Sequence, residues 1–286
     1  MTSFGAILRF SSRLRSQGSP TRWAHTLIRT ETDGPIRTIT LNDPKKRNAL
    51  SLKMLEELQE EFTEASHEKK LRAIILAAEP PVFSAGHDLR ELRSSTGITY
   101  HSKVFTACTT VMTTIQTLQI PVIAQVQGHA AAAGCQLAAT CDIVVASEDA
   151  KFSTPGISFG LFCSTPGVAV TRAVPRKVAL DMLLTGDTVD APTALRAGLV
   201  SRLVPSDQLV AETKKVCDRI CSMSAPVVAM GKTFFYSQVN LDTKNAYRFG
   251  EKVMLENLRL QDCQEGLTAF VEKRKPSWKH SDTKVH

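Results

Sequence analysis

The sequence predicts an α/β fold in which short buried strands alternate with helices, followed by a region that is helical throughout. The first observation is an apolar run at residues 122–126, then Gly128, then small apolar residues at 130–139, the pattern of a buried strand, a tight turn and a close-packed helix. The second is another apolar run, at residues 71–76, that ends in a loop containing prolines and a glycine. The third is helical periodicity over most of residues 208–271.

The first 27 residues have the composition of a mitochondrial transit peptide. They contain four arginines, six serines or threonines between Thr2 and Ser19, and no acidic residue, the first being Glu31. The alternative is a disordered basic tail. Because no strand-like or capped segment ties these residues to a core, we expect their removal to leave a folded protein that stays in the cytosol.

Residues 27–67 predict a hairpin, a polar loop and a helix, in that order. Two β-prone runs flank Asp33 and Gly34, a pair of residues typical of a tight hairpin turn. After a loop rich in lysine and arginine, Ser51 is placed to cap a helix predicted over Leu52–His67, since its hydroxyl can accept a hydrogen bond from the first turn.

Composition excludes several classes of protein. The chain has 286 residues, of which 43% are hydrophobic, enough for a sizeable core, and its formal charge is +7. No stripe of basic and aromatic residues suggests nucleic acid, and no apolar run has the length needed to span a membrane. Seven cysteines without a C-x-x-C pair predict free thiols in a reducing compartment and no metal site.

Two glycine-containing turns are expected to aim backbone N–H groups at one point. After the strand at 71–76, Gly86 permits an unusual backbone angle before His87, and Asp88 is expected to cap a helix that opens at Leu89. The helix after Gly128 exposes its own first N–H groups. Converging N–H donors form an oxyanion hole, which stabilises a carbonyl oxygen that gains negative charge. The alternative is a close-packed Ala/Gly helix without chemistry.

Three segments carry a family resemblance. F-S-A-G-H-D-L, G-H-A-A-A-A-G-C-Q-L-A-A-T-C-D and F-S-T-P-G-I-S-F-G-L resemble the signature segments of the crotonase (enoyl-CoA hydratase/isomerase) superfamily, and the likeness runs from about residue 28 to residue 280. The resemblance implies a spiral of ββα units at 28–207 and a C-terminal helical trimerisation region at 208–286. It also implies an acyl-CoA thioester as ligand and a homotrimer or dimer of trimers.

The resemblance assigns roles to particular residues. The backbone N–H groups of His87 and Ala133 would hold the thioester oxygen. Contacts to CoA are implied for one loop, for the residue before Gly86, and for two residues near the C-terminus that act across a subunit boundary: Lys45, Lys46, Arg47, Ala85, Phe270 and Lys273. CoA is part of the substrate, so no separate cofactor is expected, and no metal.

The chain departs from the family at its two acid/base positions. Gln136 and Gly156 stand where hydratases of the family carry glutamates. Glutamine does not take a proton from water at ordinary pH, and glycine has no side chain. We therefore expect no conventional hydratase activity, and we expect glutamates at both positions to raise it. His87 and Cys163 are weighed as substitute groups, whereas Asp88 and Asp142 are interpreted as structural.

Two classes of function remain open. One is an enzyme of mitochondrial fatty-acid or lipid metabolism that forms a thioester enolate, by decarboxylation, isomerisation or a lyase step. The other is a catalytically silent acyl-CoA-binding or regulatory protein. A polar group reaching the thioester would favour the first class, and a pocket lined only by apolar groups and Gln136 would favour the second. The expected location is the mitochondrial matrix, with no nucleic-acid or membrane partner.

Overall fold

The computed structural model describes residues 26–285. Most of the predicted transit peptide, residues 1–25, lies outside this range. Its last two residues do contact the core: the backbone N–H groups of Thr26 and Leu27 donate to the Glu57 carboxylate at 3.0 and 2.8 Å. Thr26 and Leu27 lie outside any strand or helix, so hydrogen bonds to one side chain are what join these two residues to the core.

The described residues contain nine strands in two sheets. The strands are β1 (Ile28–Asp33), β2 (Ile36–Leu41), β3 (Ala73–Ala78), β4 (Val122–Val126), β5 (His129–Ala131), β6 (Ile143–Ser147), β7 (Lys151–Ser153), β8 (Val189–Asp190) and β9 (Arg202–Val204). The large sheet has the order β1-β2-β3-β4-β6-β9, and the small sheet has the order β5-β7-β8. Only β1 and β2 pair antiparallel in the large sheet, through the predicted hairpin turn.

Helices cover and follow these sheets. They are α1 (Leu52–His67), α2 (Ile98–Thr117), α3 (Ala133–Thr140), α4 (Ser164–Ala173), α5 (Arg176–Thr185), α6 (Ala191–Ala197), α7 (Leu209–Cys221), α8 (Ala225–Gln238), α9 (Thr243–Leu258) and α10 (Gln261–Val271). Helix α1 has the predicted bounds, and the Ser51 hydroxyl accepts from the Met54 N–H at 3.3 Å, as expected for its cap.

The chain passes repeatedly from the large sheet to the small sheet and then into a helix. Strand β4 of the large sheet leads to β5 of the small sheet and then to α3, and β6 leads to β7 and then to α4. The loop after β3 also reaches the small sheet, because Ser84 forms an isolated parallel β-bridge with Ala130 of β5. This succession is the predicted spiral of ββα units, and it brings the loop after β3 beside the start of α3.

The core lies on both faces of the large sheet. All six residues of β3 are buried, as expected for a central strand that is covered on both sides. Helices α1 and α2 contribute Phe62 and Val111 to the larger apolar cluster, and α7 packs Leu209 and Val216 against the opposite face. Helix α7 therefore belongs to the core, although it lies in the C-terminal region that was predicted to begin at residue 208. The division of the chain after residue 207 stays a prediction.

The helix expected at Leu89 does not form. The Asp88 carboxylate accepts from the N–H of Arg90, two residues on, and from its guanidinium at 2.8 Å, which closes a turn in place of a helix cap. Helix α2 begins only at Ile98. Asp88 thus has a structural role, and its ion pair with Arg90 lowers its pKa.

The last three helices lack an apolar core of their own. Helices α8 and α9 contain no buried residue, and α10 buries only Asp262 and Ala269. Large apolar side chains on α9 and α10 are exposed, among them Tyr247, Leu255 and Phe270, the last at 85%. A surface of this kind is typical of a contact with another chain. Among residues 26–285, no helix combines the length and apolar character needed to cross a membrane.

A buried ion pair ties α8 to the spiral core. The Lys232 ammonium donates to the Asp142 carboxylate at 2.7 Å and to the carbonyl oxygens of Ile115 and Ile120 at 2.8 and 2.9 Å. The other carboxylate oxygen of Asp142 accepts from the Tyr236 hydroxyl at 2.8 Å. The two charged side chains are 6% and 14% exposed. Asp142 is therefore an ion-pair partner rather than a catalytic group.

We expect Lys232→Met to lower the free energy of unfolding by about 3 kcal/mol, because removing the ammonium leaves a buried carboxylate without its counter-charge. Urea unfolding at a fixed protein concentration measures the change. The control is Lys214→Met, which removes an exposed pair with Asp218 and should leave the midpoint unaltered. Equal midpoints for both variants would show that the buried pair contributes nothing to stability.

Candidate functional site

Two backbone N–H groups at the start of α3 and after Gly86 have no protein acceptor. They belong to His87 and Ala133, and neither donates a hydrogen bond to any described residue. Ala133 is the first residue of α3, so its N–H lies among those that an α-helix leaves free. The preceding residue, Ala132, has a φ of 49°, a left-handed value that turns the chain sharply into the helix.

Glycines allow the two segments to touch. Gly86 has a φ of +87°, and a Cβ atom on it would lie 3.0 Å from the Ala133 nitrogen and 2.9 Å from the Ala132 Cβ. A Cβ on Gly134 would overlap the backbone of Ser84. Any larger residue at either position would push the segments apart, so these glycines bring the His87 and Ala133 donors side by side.

Ser84 and Asn48 hold this contact in place. The Ser84 hydroxyl donates to the Asn48 carbonyl at 2.7 Å and accepts from the Gly86 N–H at 3.2 Å. The Asn48 amide, in turn, donates to the Glu79 and Val82 carbonyls at 2.7 and 2.8 Å. Sequence reasoning missed both residues. The available signal was Asn48, since asparagine tolerates the left-handed conformation that it adopts here, with a φ of 51°.

The predicted CoA-binding residues fall into two groups. Lys45 and Lys46 lie in a short exposed turn, Pro44–Lys46. The Arg47 carbonyl accepts from the Ala85 N–H at 3.0 Å, which fixes this basic turn to the segment that precedes Gly86. Phe270 and Lys273 lie at the end of α10, and no described hydrogen bond or ion pair joins that helix to the Gly86 segment or to α3.

The His87 side chain is held in one tautomer. Its Nδ1 lies 3.1 Å from the Leu50 carbonyl oxygen, which only accepts, so Nδ1 carries the proton. Burial lowers the pKa of His87, partly offset by that hydrogen bond and by the nearby Glu91 carboxylate. The ring packs edge-on against Phe105, with centroids 5.4 Å apart. His87 is therefore neutral near pH 7, and its Nε2 presents a lone pair.

Gln136 lies on the same face of α3 as Ala133, three residues along. Its side chain is 5% exposed, and helical side chains lean toward the N-terminal end of their helix, which here carries the free Ala133 N–H. The Oε1 atom has no donor among the described residues. The position thus holds a neutral amide in the first turn of the helix that begins at Ala133.

Gly156 cannot bear a side chain in this fold. A Cβ atom on it would overlap the Leu161 carbonyl oxygen and lie 2.9 Å from the Cys163 sulfur. The expectation that a glutamate at this position would raise hydratase activity is therefore wrong, because the chain around it closes the space that the side chain needs. The position that the resemblance matches to a family glutamate thus has no room for a side chain.

The remaining candidate groups do not provide a base. Burial raises the pKa of Cys163, and it raises the pKa of its neighbour Cys135 to about 12, so neither thiol ionises readily. His129 pairs with the Ser153 hydroxyl at 2.8 Å, as a packed histidine with one satisfied nitrogen. The part of the chain from 26 to 285 holds no cluster of His, Cys, Asp and Glu that could bind a metal ion.

Comparison with known proteins gives the same family along nearly the whole chain. The family model described as Enoyl-CoA hydratase/isomerase matches residues 31–281. The human "Enoyl-CoA hydratase domain-containing protein 3, mitochondrial" is 54% identical over 245 residues, which cover 86% of this chain and 81% of the relative. The protein of the same name from Xenopus laevis is 53% identical over 246 residues, covering 86% and 84%.

Solved structures agree. The crystal structure of human enoyl Coenzyme A hydratase domain-containing protein 3 superposes with a TM-score of 0.87 at 50% identity, covering 88% of this chain and 100% of that one. An enoyl-CoA hydratase from Mycobacterium smegmatis gives a TM-score of 0.86 at 45% identity, covering 88% and 99%. With the spiral core and the paired backbone donors, these matches show that the chain belongs to the enoyl-CoA hydratase/isomerase, or crotonase, family.

Proposed function

We propose that this protein binds acyl-CoA thioesters and stabilises the enolate form of the thioester through the N–H groups of His87 and Ala133. The observation that carries the proposal is the pair of adjacent backbone donors without a protein acceptor. An enolate places negative charge on the thioester oxygen, and loss of one such donor typically costs about 3–4 kcal/mol of transition-state stabilisation. The helix dipole of α3 adds to this stabilisation.

The basic turn supports CoA as the carrier. Lys45, Lys46 and Arg47 are fixed next to the segment that presents the His87 donor, where they can meet the phosphates of CoA. Phe270 and Lys273 are exposed, and no described hydrogen bond joins α10 to the Gly86 segment or to α3. We propose that they act on a neighbouring copy in a homotrimer or dimer of trimers. The uncovered apolar side chains of α9 and α10 support such an assembly.

The site does not favour hydration. Hydration requires a group that takes a proton from water and a source of a proton for the α carbon. Gln136 is a neutral amide and Gly156 has no room for a side chain. A second candidate function is a catalytically silent acyl-CoA-binding or regulatory protein, favoured by the absence of a carboxylate at both family positions. Either role belongs to fatty-acid or lipid metabolism.

Acyl-CoA thioesters should raise the melting temperature with concentration, because they bind only the folded state. Ala133→Pro removes one donor at the first helical position, where proline is tolerated. It should weaken binding of acetoacetyl-CoA, which forms an enolate, by about 100-fold while weakening free CoA much less. Calorimetric titration measures both affinities.

The matched control is Thr243→Pro, at the first position of α9. It removes an N–H group from an equivalent place in a helix outside the site, so both affinities should stay as in the unmodified protein. The melting temperature of each variant shows whether it remains folded. Equal weakening of acetoacetyl-CoA and free CoA by Ala133→Pro would exclude Ala133 from the hole.

The unmodified protein should hydrate crotonyl-CoA far more slowly than the roughly 1–10³ s⁻¹ ordinary for enzymes. Gln136→Glu alone should leave the rate low, since it provides one proton-transfer group of the two that hydration needs. Loss of the enoyl absorption, with an active hydratase assayed alongside, measures the rate. Turnover by the unmodified protein in the ordinary range would mean that another acid/base pair exists.

We propose the mitochondrial matrix as the location. Two observations support it: the composition of residues 1–27 and the word "mitochondrial" in the names of the relatives. A truncated chain that starts at residue 26 keeps the contacts of Thr26 and Leu27 with Glu57, so it should fold and remain in the cytosol. Imaging of fluorescent fusions compares it with the full chain. Mitochondrial signal from the truncated form would place the targeting information elsewhere.

A further inference from the structure

The backbone donor of His87 is oriented by a hydrogen bond on the opposite side of its own peptide. Gly86 and His87 share a trans peptide, so the Gly86 carbonyl and the His87 N–H point in opposite directions. The Leu50 N–H donates to that carbonyl at 2.8 Å. Because the peptide is planar, the position of Leu50 sets the direction in which the His87 N–H points.

Leu50 also contacts the same residue at a second point. Its carbonyl accepts from His87 Nδ1 at 3.1 Å, so one residue binds both the peptide and the ring of His87. Leu50 is fully buried, and helix α1 begins two residues later, at Leu52. A group that fixes the start of α1 therefore also fixes the His87 donor.

The Glu91 carboxylate is that group. Its Oε2 accepts from the Leu52 N–H at 2.8 Å, and its Oε1 accepts from the Tyr100 hydroxyl at 3.1 Å. The Leu52 N–H is one of those that a helix leaves free, and a negative charge there also interacts favourably with the helix dipole. The Glu91 N–H donates to the Asp88 carbonyl at 2.9 Å, so a single turn separates this carboxylate from His87.

We propose that Glu91 is a positioning residue for the His87 donor. The proposal rests on the proposed function, in which the His87 and Ala133 N–H groups hold the thioester oxygen. Glu91 joins the turn after His87 to the first residue of α1, and Leu50 transmits that constraint to the peptide that carries the donor. Without the carboxylate, the two segments can shift relative to each other, and a displaced donor stabilises a developing charge less well.

The alternative is that Glu91 only caps α1. A cap of that kind would contribute to stability, and its loss would weaken all ligands of the folded protein alike. A positioning residue instead affects the ligand that uses the hole more than one that does not. The ratio of two affinities therefore separates the two roles, whereas the melting temperature does not.

The test is calorimetric titration of the full chain with free CoA and with acetoacetyl-CoA, which forms an enolate. Glu91→Met removes both acceptor atoms at similar side-chain length, and it should reduce the preference for acetoacetyl-CoA over free CoA about tenfold. Glu91→Gln should keep the preference within about twofold, because its amide oxygen can accept from the Leu52 N–H and its amide nitrogen can donate to the Tyr100 hydroxyl.

The matched control is Asp190→Ala. The Asp190 carboxylate caps α6 by accepting from the Thr193 N–H at 2.8 Å, in a helix that forms no part of the site. Its loss should leave the preference unchanged. If Glu91→Met does not fold, Glu91→Asp replaces it: this variant keeps the charge, is one methylene shorter, and should also reduce the preference.

The outcomes distinguish this proposal from the proposed function. An unchanged preference in both Glu91→Met and Glu91→Asp would overturn the proposal and leave the proposed function standing. An equal reduction in Glu91→Gln and Glu91→Met would also overturn it, because the hydrogen bond to Leu52 would then not be the cause. If the unmodified protein binds acetoacetyl-CoA no more tightly than free CoA, the proposed function is wrong, and this proposal with it.

Discussion

The close approach of the Gly86 segment to the first turn of α3 is the constraint on which the site depends. It leaves no space for a Cβ atom at Gly86 or Gly134, and it requires a left-handed φ at Ala132. Such conformations persist only where surrounding contacts over-determine them. Ser84 and Asn48 provide those contacts, so buried polar groups outside the site maintain the spacing of its two donors.

A site built from backbone donors keeps part of its chemistry when side chains change. With Gln136 and Gly156 the chain has no carboxylate at these two positions, while the His87 and Ala133 N–H groups are still present. One fold can host many reactions, so membership of the crotonase family does not by itself define one. The side chains around the proposed hole include an amide, an uncharged imidazole and the Cys135 thiol, whose pKa burial raises to about 12, with the Glu91 carboxylate near His87.

Local patterns in the sequence were sufficient for the hairpin, the Ser51 cap and helix α1, because each depends on nearby residues. They were insufficient where distant contacts decide the outcome. The Asp88 carboxylate accepts a hydrogen bond from the Arg90 N–H, which forms a turn where a helix was expected to begin at Leu89. The closed space at Gly156 depends on Leu161 and Cys163, and the tautomer of His87 depends on Leu50, 37 residues away. Neither spacing nor composition reports such contacts.

The most direct measurement is a crystal structure of the protein with butyryl-CoA bound. The thioester oxygen should lie about 2.7–3.1 Å from both the His87 and the Ala133 backbone nitrogens. The phosphates should approach the turn that carries Lys45 and Lys46. A thioester oxygen bound elsewhere, with the two nitrogens paired to water or to another part of the protein, would contradict the assignment of the hole.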